Sequence, residues 1–252
     1  DGYGYNASQS MMVLPVPGHQ HSFRFFHLPK VQEGNNFYLR NLLTTLVTRT
    51  NDSNWQVIEK NKPIVLDTFD AHGLHAVKHA NGRDWWVLSV RERTNRFYFT
   101  LLSPDTLETH YQEIGLPLTE YCYGQMTFSP DGSQLAVFDA KNDLRLYDFD
   151  RCSGTLSNFR HIAVTDDADI EVFAGVAWSA DGRYVYAAEF RRVLQFDVQS
   201  QDISASKVVV AEINSSTCPW QPGFVYMELA PDGRVFCRSG GGNSPCLHVI
   251  SH

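Results

Sequence analysis

One stretch decides the fold, and it runs Phe128-Ser129-Pro130-Asp131-Gly132-Ser133-Gln134-Leu135-Ala136-Val137. The same pattern returns 50 residues later in Trp178–Tyr186, and 51 residues after that in Leu229–Phe236. Fifty residues before Gly132, the frame of the pattern is present in His79–Val87. The sequence is therefore built on a repeat whose markers are Gly82, Gly132, Gly182 and Gly233.

Each marker is an Asn-Gly or Asp-Gly pair between apolar runs, which is a strong signal for a β-hairpin. A further apolar run follows each hairpin, so every period contains at least three strands. These runs are Phe97–Leu102, Leu144–Phe149, Val193–Val198 and Cys246–Ile250. Four strands with their turns occupy about 40–50 residues, which is the length of a propeller blade. The sequence predicts an all-β protein with the β-propeller fold.

We expect one propeller domain over residues 1–252, with about five visible blades. The predicted blades cover approximately 10–65, 70–118, 120–165, 170–212 and 220–252. A propeller avoids exposed sheet edges by closing into a ring, yet the last period has only three recognisable strands. We therefore expect a fragment of a six- or seven-bladed ring, which further domains of the same chain or a partner chain would close.

Composition limits the partners of the chain. The net charge is −7 and no cluster of Lys and Arg opposes it, whereas nucleic-acid binding depends on such clusters. The sequence has no run of 18 apolar residues, so we expect no membrane-spanning segment. Aromatic residues make up 13% of the chain, which suits the flat faces on which neighbouring blades pack.

The five cysteines show neither a CxxC pair nor the His/Cys spacing of a zinc site. Cys237 and Cys246 lie symmetrically about the turn at 239–244, so they could form a disulfide across a hairpin. Such a bond would suit an oxidising compartment. The alternative is that both are unpaired small hydrophobic residues.

Several motifs together resemble a known family. The motifs are Ser10–Gly18, His79–Val87, Phe128–Val137 and Phe149–Asn158, and the likeness covers nearly the whole chain. They are similar to the N-terminal propeller region of large surface proteins that gliding and related bacteria export by type IX secretion. A more distant likeness to WD-repeat and YVTN-type propellers rests on the same hairpins. The resemblance implies an extracellular or cell-surface location, and it supplies no catalytic residues.

Histidines form the first candidate for chemistry. His72, His75 and His79 cluster on or beside a predicted innermost strand, and His19 and His21 share another turn. A metal or acid–base site is conceivable there. Period-2 alternation, however, puts His75 and His79 on one face and His72 on the other, which favours ordinary polar roles.

Acidic residues form the second candidate. The connector at 166–171 holds four acids, which could bind calcium, although it lacks the order of an EF-hand loop and a solvated connector is the alternative. Asp131, Asp181 and Asp232 recur with the repeat, which indicates turn formers, because a catalytic residue would normally occur once.

These observations predict a secreted or cell-surface propeller that is not an enzyme. It would act as a binding or structural module with a protein or glycan partner, for example in adhesion. We expect no catalytic, cofactor-binding or metal-binding residues. The alternative is a propeller hydrolase or lactonase with a metal ion in its central channel.

Overall fold

The structure is a computed structural model, and it describes residues 9–50, 54–119, 122–164, 173–213, 223–240 and 246–251. In these ranges the regular structure is β-strand apart from one short 3-10 helix, Ser204–Ser206. The strands, in chain order, are β1 (Met11–Pro15), β2 (Ser22–His27), β3 (Lys30–Glu33), β4 (Asn36–Arg49), β5 (Trp55–Lys78), β6 (Trp85–Arg91), β7 (Arg96–Leu102), β8 (Leu107–Glu113), β9 (Gln125–Phe128), β10 (Gln134–Asp139), β11 (Asp143–Asp150), β12 (Thr155–Ile162), β13 (Gly175–Trp178), β14 (Tyr184–Ala188), β15 (Arg192–Asp197), β16 (Val208–Glu212), β17 (Phe224–Leu229), β18 (Val235–Ser239) and β19 (Leu247–Ile250).

The strands form antiparallel sheets in two compact units. Unit 1 comprises residues 1–121 and 150–156, and unit 2 comprises residues 122–149 and 157–252. Unit 1 holds an eight-stranded sheet in the order β1-β2-β4-β5-β6-β7-β8, with β3 paired to β4. The other sheets have the orders β12-β11-β10-β9, β13-β14-β15-β16 and β17-β18-β19. The predicted all-β architecture of antiparallel sheets is confirmed.

Strand β5 joins the first two predicted blades. The sequence predicts a blade boundary at about residues 65–70, but the 24-residue strand β5 continues through this interval. It pairs with β4 along its first part and with β6 along its second part. The change of partner coincides with a register shift between Phe69 and Leu74, and Gly73 lies inside it at a φ of 74°. One bulged strand therefore serves both blades.

The repeat markers occupy equivalent tight turns. Gly132 has a φ of 73°, a conformation that glycine adopts without steric cost, and its N–H donates to Ser129 O at 2.8 Å. The glycines of the other three copies, Gly82, Gly182 and Gly233, also have positive φ, and each donates to the carbonyl three residues before it.

The aspartates of these turns bind local backbone. Asp131 Oδ1 accepts from Ser133 N at 2.9 Å and from Ser129 Oγ at 2.6 Å. Asp181 Oδ1 accepts from Arg183 N at 3.0 Å in the same way. Asp232 Oδ1 accepts from Arg234 N at 3.1 Å. Each carboxylate therefore closes its own turn.

In unit 2 a buried glutamine links three sheets. Gln125 begins β9 and is 3% exposed. Its Oε1 accepts from Val176 N of β13 at 3.1 Å and from Met227 N of β17 at 3.0 Å, while its Nε2 donates to Met227 O at 2.7 Å. One side chain thus satisfies three buried backbone groups on the first strands of the two following sheets.

In unit 1 the turn at 150–154 packs on a tryptophan. Trp86 Nε1 donates to Arg151 O at 2.9 Å, and His79 Nε2 donates to Cys152 O at 3.0 Å. His110 Nε2 donates to Gly154 O at 3.0 Å. A Cβ atom at Gly154 would lie 2.6 Å from the Trp86 ring, so only glycine fits there.

The predicted disulfide between Cys237 and Cys246 is wrong. Cys237 is a free, buried thiol on β18, and burial raises its pKa to about 12. Its partner across the hairpin is His248. The strand register is therefore offset by two residues from the symmetric arrangement about the turn, which prevents the two sulfur atoms from meeting.

In the described ranges, no helix has the length and apolar character needed to cross a membrane.

Candidate active site

A cleft of about 300 Å³ opens in unit 1, at the low end of the size range for small-molecule sites. Its lining comes from β4, from the middle of β5, and from the end of β6 with the turn that follows it. The lining residues are Tyr38, Asp67, Thr68, Arg91, Glu92 and Arg93. The cleft therefore contains two carboxyl groups and two guanidinium groups within a small volume.

Asp67 is held by two hydrogen-bond donors and one ion pair. Its Oδ2 accepts from the Tyr98 hydroxyl at 2.6 Å, and its Oδ1 accepts from Thr68 N at 2.8 Å. The Arg91 guanidinium lies 3.2 Å from the same Oδ1. Burial is the largest effect that raises the pKa of Tyr98, and the hydrogen bond to Asp67 is the second. The hydroxyl therefore stays protonated and acts as the hydrogen-bond donor to Asp67. The negative charge of Asp67 is thus compensated inside the cleft.

Glu92 has the opposite environment. Only 14% of its side chain is exposed, and burial raises its pKa. The charges of Arg93 and Arg40 lower this pKa, whereas the nearby Asp70 raises it, and burial is the largest of these effects. The nearest ion-pair distance, from Glu92 Oε1 to Arg93 Nε, is 3.7 Å, which is too long for a strong hydrogen bond. Glu92 is therefore the carboxyl group that tends to retain a proton.

The arginines of the cleft differ in how far their charges are compensated. Arg40, beside the cleft, donates to both oxygens of Glu33, at 3.1 and 2.8 Å, and also to Thr68 Oγ1. Arg91 faces Asp67. Arg93 is 63% exposed, and among the described residues its one ion-pair contact is the long one to Glu92. Arg93 therefore carries the least compensated positive charge at the cleft.

The turn that carries Glu92 and Arg93 is fixed from behind. Thr94 Oγ1 donates to Arg91 O at 3.1 Å and accepts from Arg96 N at 3.1 Å. Asn95 Nδ2 donates to Gly115 O at 2.9 Å. Glu92 N donates to Thr68 O of β5 at 3.0 Å. These bonds fix the backbone of the turn that carries the two side chains before any ligand arrives.

Arg93 adopts a φ of 54°, but this conformation belongs to the repeat. Asp143 and Phe190, in the corresponding turns of later periods, have φ values of 64° and 65°. The backbone of the turn therefore recurs while its side chains change. What distinguishes the copy in unit 1 is an arginine, Arg93, at the positive-φ position, where the later turns have Asp143 and Phe190.

The histidines do not assemble into one site. His72 is buried and its Nδ1 is hydrogen-bonded to Asp70 Oδ1. Burial lowers the pKa of His75 to about 4. His79 binds the Cys152 carbonyl, and His19 Nε2 lies 3.7 Å from Asp105. Among the residues with described positions, no three His, Cys, Asp or Glu side chains are grouped for metal binding.

The acidic connector at 166–171 lies outside the described residues. The calcium site considered for it stays a prediction.

Sequence reasoning missed every residue of the cleft. Asp67 and Tyr98 lie on different strands, and only the fold brings them to Glu92. A signal was nevertheless present in the repeat itself. Where the first marked period has Glu92-Arg93, the next has Asn142-Asp143 and the third has Glu189-Phe190, so the arginine of the pair does not recur at this position. Residues that break a repeat are better candidates for function than residues that maintain it.

The sheets described above define the chain as a β-propeller protein. No protein-family model matches its sequence, and no curated protein sequence matches it significantly. Solved propeller structures do match its fold. The Dos1 propeller has a TM-score of 0.50 at 11% identity, over 92% of this chain and 52% of that one.

An exo-β-1,3-galactanase from Phanerochaete chrysosporium, solved with β-1,3-galactotriose, also has a TM-score of 0.50. It is 10% identical over 92% of this chain and 56% of its own. This chain thus spans about half the length of these two proteins. A gluconolactonase from Xanthomonas campestris matches with a TM-score of 0.45 at 13% identity, over 96% of this chain and 86% of that one.

The prediction that the chain is not an enzyme is wrong. Its basis was that the recurring residues are turn formers and that no unique catalytic cluster is visible in the sequence. The galactanase is an enzyme with the same fold, so this fold does not indicate a scaffold. The cleft of unit 1 also brings together two carboxyl groups and two guanidinium groups that the sequence did not predict as a cluster.

Proposed function

We propose that this chain is a propeller hydrolase that cleaves glycosidic bonds by acid–base catalysis in the cleft of unit 1. The observation that carries the proposal is the pair of carboxyl groups, Asp67 and Glu92, that share one cleft in opposite environments. Glycosidases use such a pair, in which one carboxyl group donates a proton and the other remains charged.

Each residue has a role that follows from its surroundings. Glu92, whose pKa is raised by burial, would protonate the oxygen of the leaving group. Asp67, which Tyr98 and Arg91 hold in position, would stabilise the positive charge that develops on the sugar or would activate the attacking group. Tyr38, on the wall of the cleft, offers an aromatic surface to a sugar ring.

The fold is compatible with this chemistry, since the galactanase is a propeller enzyme that acts on a β-1,3-linked galactan. The sequence led us to expect a protein or glycan partner, and the proposed activity corresponds to the second of these. We further propose that the chain acts outside the cell, as its resemblance to exported surface proteins implies. Export by type IX secretion and a role in adhesion stay predictions.

The test is hydrolysis of a panel of aryl glycosides by the wild type and by Glu92→Gln. We expect Glu92→Gln to lower kcat/KM by about 100-fold or more for 4-nitrophenyl and poorer leaving groups. The loss should be much smaller for 2,4-dinitrophenyl glycosides, because their leaving group needs no proton. Glu108→Gln on β8, which removes an exposed carboxylate of the same unit, is the control.

A pH profile adds a second readout. Because Glu92 must be protonated to act, activity should fall as the pH rises above the raised pKa of this group, and Glu92→Gln should lose that alkaline limb. Failure of the wild type to hydrolyse any member of the panel, or equal losses with both leaving groups, would contradict the proposed function.

A further inference from the structure

The arginines of the cleft are not all ion-paired in the state that catalysis requires. Arg40 is neutralised by Glu33, and Arg91 by Asp67. Among the described residues, the carboxyl group that faces Arg93 is that of Glu92, whose charged form is disfavoured by burial and by Asp70. When Glu92 holds its proton, one guanidinium therefore remains at the mouth of the cleft without a carboxylate partner.

We propose that the cleft recognises a sugar that carries an anionic group, and that Arg93 is the specificity-determining residue that binds this group. A planar guanidinium pairs with a carboxylate or a sulfate through two parallel hydrogen bonds, which gives direction as well as attraction. The substrate class is thus a hexuronate-containing or sulfated glycan. This inference names the substrate class of the proposed hydrolase site, and so rests on the proposed function.

The position of Arg93 supports this role. Its turn is fixed by the bonds of Thr94 and Asn95, while its own side chain is exposed and reaches the cleft. In the corresponding turn of the next period, Asp143 accepts a backbone hydrogen bond from Val164 N at 3.1 Å. Asp143 thus has a structural role in its turn, whereas Arg93 lines a cleft.

An anion bound by Arg93 would also act on Glu92. A second negative charge close to a carboxyl group disfavours its ionisation, so the bound substrate would help Glu92 to keep the catalytic proton. This predicts a specific kinetic signature. The alkaline limb of kcat should lie at higher pH for an anionic glycoside than for its neutral counterpart.

The direct test is binding, which needs no turnover. Calorimetric titrations would compare trigalacturonate with the matched neutral α-1,4-galactotriose, and a 6-sulfated galactoside with its unsulfated form. We expect the anionic member of at least one pair to bind about ten-fold or more tightly, and this preference to weaken as the salt concentration rises.

The variant is Arg93→Asn, because Asn tolerates a positive φ better than most residues do. Its unfolding curve should match that of the wild type, which separates lost recognition from lost structure. We expect the affinity for the anionic member to fall about ten-fold and the affinity for the neutral member to stay unchanged. Arg234→Gln, which removes an exposed arginine of unit 2, should change neither.

Equal affinity for charged and neutral members in every pair, or an equal effect of Arg93→Asn on both, would overturn the inference. Neither result would touch the proposed function, which the leaving-group test decides. Conversely, selective binding of the anion by a protein that hydrolyses nothing would support this inference and remove the proposed hydrolase.

Discussion

Two glycines with nearly the same backbone conformation differ in the space available for a Cβ atom. Gly154 has a φ of 69° and Gly82 a φ of 71°. A Cβ at Gly154 would meet the Trp86 ring, while a Cβ at Gly82 would have no heavy atom within 4 Å. The pair therefore separates the cost of a left-handed backbone from the cost of a steric clash.

We expect Gly154→Ala to lower the free energy of unfolding by about 2–4 kcal/mol, since it adds overpacking to backbone strain. Gly82→Ala should cost only about 1 kcal/mol, from strain alone. Urea unfolding followed by tryptophan fluorescence measures both. Equal losses in the two variants would show that the Trp86 contact does not restrict position 154.

The glycines also show which residue roles can be predicted from the sequence and which cannot. The turn glycines and aspartates were predictable because each role recurs at a fixed period. Gly154 was not, because the need for glycine there comes from Trp86, which lies 68 residues away along the chain. Glu92 and Asp67 could not be predicted as site residues for the same reason, because their environments are formed by strands that are distant in the sequence.

At the scale of elements, unit 2 depends on a side chain that bonds to neighbouring sheets. Leu has a volume similar to that of Gln but would leave Val176 N, Met227 N and Met227 O without the partner that Gln125 provides. Each buried backbone group that loses its partner costs about 1–3 kcal/mol, and local relaxation recovers part of the sum.

Gln125→Leu should therefore destabilise the protein by about 2–4 kcal/mol in denaturant unfolding. Gln195→Leu on β15, at a half-buried position, is the matched control and should change stability by less than about 1 kcal/mol. Native-state hydrogen exchange should also show faster exchange at Val176 and Met227 in the first variant. Unchanged protection of these two amides would remove the linking role.

Register was harder to predict than the strands themselves. The apolar runs located β18 and β19, but turn symmetry suggested the wrong partner for Cys237. Hairpin register depends on how many residues the turn uses, and a glycine-rich turn leaves that number open. Strand β5 was also not predicted as one strand. A bulge at Gly73 lets a single strand pair with both β4 and β6, where the sequence suggested two separate strands.

At the scale of the whole molecule, buried histidines make stability depend on pH. Burial lowers the pKa of His27 and His248, and it lowers the pKa of His75 to about 4. These rings bind protons more readily in the unfolded chain than in the folded one. The contribution of these neutral histidines to the free energy of unfolding is therefore complete above about pH 6.5 and is lost as the pH falls towards 4.

One carboxyl group acts in the opposite direction. Burial raises the pKa of Glu92, so this group contributes stability that is complete below its ordinary pKa of 4.5 and is lost as the pH rises through the raised value. The sign of the net change is thus set by competing groups. A difference between variants isolates the histidine contribution.

We expect the free energy of unfolding of the wild type to fall relative to that of His75→Gln by about 2 kcal/mol between pH 6.5 and pH 4, since a neutral amide cannot take up the proton. Urea titrations at half-unit pH steps measure this difference. His19→Gln, which removes a half-exposed ring, should follow the wild type throughout. If His75→Gln and the wild type keep a constant difference over the whole range, protonation of His75 is not coupled to unfolding and the acid sensitivity of the molecule must arise from its other buried groups.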